Sequence, residues 1–78
     1  MHELSIATAI LDQVRSANRT VLRVGVRVGE LAGVDPEALA FGFQCLAQEL
    51  AVRPELVIEP AAGDDLHVIF MDFEERPP

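Results

Sequence analysis

Three residues at the start of the chain, Met1, His2 and Glu3, have the types and spacing that chelation needs. The α-amine of Met1, the amide nitrogen of His2 once deprotonated and the His2 imidazole can close two fused rings around one ion. The amide of Glu3, or a side-chain oxygen, can complete a square. A planar, nitrogen-rich donor set suits Ni(II) or Cu(II), whereas tetrahedral sulfur sites suit zinc. Deprotonation is part of such binding, so it weakens at acidic pH. A cation there faces the positive end of a helix dipole, and Glu3, ionised amides and Asp35 are the anions that offset it. On its own the triplet also fits a plain surface histidine at a frayed end, because two-residue matches are common by chance.

Elsewhere the chemistry is thin. Asp35 precedes Pro36, and Asp-Pro at a helix start is a cap. One carboxylate oxygen can cap while the other meets a metal. His67 alternates outward in a strand and reads as a surface residue. Cys45 lies beside an apolar helical stripe and reads as buried packing, since no histidine or basic neighbour is there to activate it. No Ser/His/Asp arrangement, phosphate loop or paired-carboxylate site is evident, so an enzyme is not expected.

The elements that must position these groups can be read from periodicity. Leu4, Ala7, Leu11 and Val14, flanked by Ile6, Ile10 and Ala17, recur at helical steps, predicting an amphipathic helix of about 15 residues. The stretch SANRT ends it. VLRVGVRVGEL alternates: Leu22, Val24, Val26 and Val28 point one way, and Arg23, Gly25, Arg27 and Gly29 the other. That pattern predicts a strand buried on one face. A second helix follows Asp35, with Leu39, Phe43, Leu46 and Leu50 as its core stripe. ELVIEP is a short strand, AAGDD a solvated hairpin turn and LHVIFMDF a third strand. The prediction is one α+β domain, residues 1–78, in the order α-β-α-β-β, with two helices on one face of a three-stranded mixed sheet.

In the third strand, Leu66, Val68 and Phe70 alternate with Ile69, Met71 and Phe73. Both faces look apolar, and no third layer covers the second. An uncovered apolar patch marks an association surface, so Ile69, Met71 and Phe73 are the expected contact for a homodimer or a partner.

Composition narrows the class. The 78 residues carry a formal charge of −7, and their six cations are all arginine. An acidic chain without a basic cluster is a poor nucleic-acid binder. No apolar run approaches the roughly 20 residues that span a bilayer, and the start lacks a secretory pattern. One cysteine permits no internal disulfide, which fits a reducing cytoplasm.

MHELSIATAI, VRVGELAGVDPEALAFGF, LVIEP and GDDLHVIFMDFEE together cover nearly the whole chain. In that order they strongly resemble the HypA/HybF family, the nickel metallochaperones of [NiFe]-hydrogenase maturation. The resemblance implies nickel at Met1, His2 and Glu3, with Asp35 as a further ligand candidate. It implies delivery to the hydrogenase large subunit alongside the GTPase HypB, and docking through the first helix region. It also implies a zinc module of two CxxC-type pairs between the last two strands. This chain has a short turn there, so no structural zinc is expected. Without that module, the alternative is a HypA-like scaffold in hydrogenase assembly that no longer delivers nickel.

Overall fold

The structure, a computed structural model, describes residues 2–75. The first apolar stripe forms α1, Glu3–Ser16, which buries Ala7, Ile10, Leu11 and Val14. Leu4, expected in that stripe, is 59% exposed at the open end of the helix. The helix stops at Asn18, whose φ of 54° is left-handed, a conformation asparagine tolerates better than most residues.

β1, Val21–Gly29, is the central strand. α2, Pro36–Ala47, returns the chain to β2, Glu55–Ala61, which runs parallel to β1. β3, Leu66–Phe73, pairs antiparallel with the other edge of β1. The sheet order is β2-β1-β3, and the chain has the predicted α-β-α-β-β order and two-layer α+β class. α1 and α2 lie side by side and point the same way: Glu3 meets Asp35 at their starts, and Arg15 meets Glu49 near their ends. Leu39, Phe43 and Ala47 of α2 complete the core with the α1 residues and Val21, Val24, Val26 and Val28. Leu46 and Leu50 only flank it. Cys45 is exposed, which corrects the expected burial.

Two bulges break the strict alternation between β1 and β3. Val21 pairs with Phe73 but Arg23 with Asp72, which leaves Leu22 over. Gly25 pairs with Phe70 and Val26 with Val68, which leaves Ile69 over. An extra residue reverses the facing of everything beyond it. Val21 therefore enters the core and Leu22 is exposed. Met71 and Phe73 pack against the core, while the Phe70 ring lies over Gly25, where a Cβ would overlap it. Ile69, Met71 and Phe73 thus do not share one outward face. The open face of the sheet carries Phe70 between two ion pairs, Arg23–Asp72 and Arg27–Glu59.

The AAGDD turn is not a hairpin either, because its two strands flank β1 on opposite edges. Residues 62–65 cross over the end of β1 and are stitched to it. The amide of Gly29 donates to Asp65 O at 2.6 Å, and that of Leu31 to Gly63 O at 2.8 Å. Just before the crossing, the Glu30 amide donates to Ala61 O at 2.8 Å. A Cβ on Gly29 would run into the backbone of Gly63 and Asp65, so the crossing requires glycine there. Gly63 itself has a φ of 77°.

Candidate metal centre

The starts of both helices and the end of β1 lie at one end of the molecule, and the predicted site lies there. His2 is the N-cap of α1, and its side chain makes no capping bond. Its carbonyl accepts from Ile6 N–H at 3.1 Å. The backbone of His2 therefore starts the helix while the imidazole stands exposed, free of structural duty. Met1, the expected donor of the amine, lies outside the described residues.

Glu3 and Asp35 are brought together across 32 positions of sequence. Glu3 Oε2 accepts the backbone N–H of Asp35 at 3.0 Å. Asp35 is the N-cap of α2: its Oδ1 accepts from Glu37 N–H at 3.0 Å and from Ala38 N–H at 3.4 Å. Among the described residues, Asp35 Oδ2 has no hydrogen-bond partner, so it remains available to a ligand. The cap read from the Asp-Pro pair is present; the Glu3 contact has no local signature in the sequence.

The amide of Asp35, and then the backbone N–H of Glu3 itself, hold the Glu3 carboxyl below its ordinary pKa. A carboxylate that accepts backbone N–H bonds is stabilised in its charged form. Two helix N-termini converge here, and their positive ends favour anions. The carboxylates of Glu3, Asp35 and Glu37 lie in or beside these first turns. That negative charge is what a bound cation needs at an otherwise unfavourable place.

Among the described residues, no three His, Cys, Asp or Glu side chains converge on a metal position. A terminal chelate does not require such convergence, because most of its donors are backbone nitrogens and the chain terminus. His67 is exposed on β3, opposite Arg27 in the register of the sheet. Cys45 is about three turns along α2 from Asp35 and exposed. With one cysteine in the chain and a link of residues 62–65 between β2 and β3, the residues present do not fit a tetrathiolate zinc site. No helix among the described residues is long and apolar enough to cross a membrane.

Comparison with known proteins identifies the family and the fold. A family model described as hydrogenase/urease nickel incorporation, metallochaperone, HypA matches residues 1–64. The hydrogenase maturation factor HypA of Chlorobium limicola is 43% identical over 69 residues, covering 81% of this chain and 60% of the relative. That of Synechococcus elongatus is 40% identical over 65 residues, covering 76% and 58%. The HypA of Streptomyces avermitilis is 40% identical over 70 residues, covering 81% and 53%. The chain thus spans somewhat more than half the length of these relatives. The solution structure of the Ni metallochaperone HypA from Helicobacter pylori shares the fold, with a TM-score of 0.60 and 19% identity over 99% of this chain and 73% of that one. The family match runs from the first residue through both helices and the two parallel strands, and the chain belongs to the HypA family of hydrogenase/urease nickel-incorporation metallochaperones.

Proposed function

We propose that this chain binds one Ni(II) at its N-terminus and passes it on, by direct protein contact, during [NiFe]-hydrogenase maturation. The donors are the Met1 amine, the His2 amide and imidazole, and Glu3, with Asp35 placed to add an oxygen. The relatives are named hydrogenase maturation factors and the structural neighbour a Ni metallochaperone. The recipient in this reading is the hydrogenase large subunit, with a HypB-like GTPase as co-worker. The role is delivery and not catalysis.

One observation supports this reading above the rest. The His2 side chain caps nothing and stands exposed beside a carboxylate-lined pair of helix starts. Transfer needs an accessible ligand that can let go, and a side chain with no second task provides one. The test is a Ni(II) titration of the chain with an unblocked N-terminus, followed by absorbance and calorimetry. His2→Ala, or one extra residue before Met1, abolishes the square-planar band and leaves the fold intact. Unchanged affinity in either variant defeats the proposal. No band in the parent chain leaves the scaffold role in its place.

A further inference from the structure

We infer that the Glu3 carboxylate is a positioning residue of the nickel site and not a nickel ligand: it ties the metal-binding turn to the start of α2 through the Asp35 amide. The inference deepens the nickel reading and rests on it.

The argument begins with what each donor is already doing. Glu3 is the first residue of α1, directly after His2. Its Oε2 is engaged with Asp35 N–H at 3.0 Å. That amide belongs to the N-cap of α2, whose own Oδ1 accepts the Glu37 and Ala38 amides. His2 is thereby linked through Glu3 to a fixed point on the second helix. Among the described residues the imidazole makes no capping bond. The division of work is between a free side chain at position 2 and a committed one at position 3.

Recruiting the Glu3 carboxylate to the metal would pull a charged acceptor from a backbone donor. Hydrogen bonds with a charged partner are among the stronger ones, and a donor left unmade is costly. Keeping the carboxylate on Asp35 N–H avoids that loss. It also holds the first turn of α1 against α2, so that the Asp35 carboxylate stays near the turn that carries His2. Pre-positioning of this kind raises affinity by cutting the ordering cost of binding. The Glu3 backbone nitrogen is then the group of this residue that completes the chelate, in exchange for its own contact with the carboxylate.

Glutamine separates the two roles, because its side-chain oxygen still accepts a hydrogen bond but is a neutral, poor nickel donor. The experiment uses the full chain with its native start, nickel sulfate as the probe and four proteins: parent, His2→Ala, Glu3→Gln and Glu3→Ala. Nickel binding is read by visible absorbance and calorimetry. Exchange of the Asp35 amide is read by NMR in the metal-free state. Glu3→Gln keeps the parent band and binds within about threefold, while Glu3→Ala binds about tenfold more weakly and loses protection at Asp35. Equal losses in Gln and Ala, or parent-like affinity in Ala, overturn the positioning role. So does Asp35 exchange that is the same in all four proteins. A parent that takes up no nickel, or a His2→Ala protein that binds as the parent does, defeats the nickel reading instead; the Asp35 exchange still decides whether the tie exists.

Discussion

The two helices are joined at both ends, by different kinds of contact. At their starts, Glu3 reaches a backbone amide of α2, and Asp35 caps that helix from within. At their far ends, Arg15 and Glu49 meet at 3.2 Å, with side chains 50% and 78% exposed. The first kind of contact sets a single side-chain carboxylate against backbone donors. The second holds two long side chains in water, where ordering them offsets most of the Coulomb gain. The site-bearing end is therefore preorganised, and the distal end is held mainly by the core beneath it.

That contrast can be broken most severely at Gly29. Gly29→Val drives a side chain into the backbone of Gly63 and Asp65. A loss of about 3 kcal/mol is expected from overpacking against main chain, measurable by urea unfolding. A loss under about 0.5 kcal/mol, which is the scale of ordinary surface changes, would mean the crossing yields easily. Next comes Asp35→Ala, which removes a cap and costs about 1 kcal/mol. Asp35→Asn keeps the cap and leaves stability near the parent, so any fall in nickel affinity in that variant reports a lost ligand.

A local effect follows for pH. The Glu3 carboxyl is held below its ordinary value of 4.5 by the Asp35 amide. Folding therefore favours the charged form, and the tie is fully present above that value. It disappears as the pH falls through the lower value of the folded state. Asp35 amide protection should hold down to the usual carboxylate range and vanish only below it. Vanishing near neutral pH would show that another group governs the contact. The smallest effect belongs to Arg15→Ala, within about 0.5 kcal/mol of zero; a loss several times larger would erase the difference between the two ends.

The order of elements was legible because each has a period of its own. Ala7, Leu11 and Val14 step as a helix, Val24, Val26 and Val28 as a strand, and Asp35-Pro36 announces a cap that the structure contains. Facing in β3 was not legible, because it depends on where an extra residue is absorbed. Ile69 takes up that slack, so Phe70 and Met71 exchange the sides that alternation assigns them. The sequence shows a glycine at position 25 but not the ring that will lie on it. Sheet order was likewise hidden: a short link between two strands suggests neighbours, and only the stitching to Gly29 and Leu31 reveals a crossing. At the site, the triplet and Asp35 were visible as types. The contact between Glu3 and Asp35 depends on two helices lying parallel, which no local pattern encodes.

The crossing at residues 62–65 has one more consequence. Its two ends are anchored on opposite edges of the sheet, beside Ala61 and Leu66, at the pole where the helices begin. Any longer polypeptide spliced into it would sprout at that pole, beside the starts of both helices, without rethreading a strand. The scaffold thus offers a graft point beside the proposed nickel site.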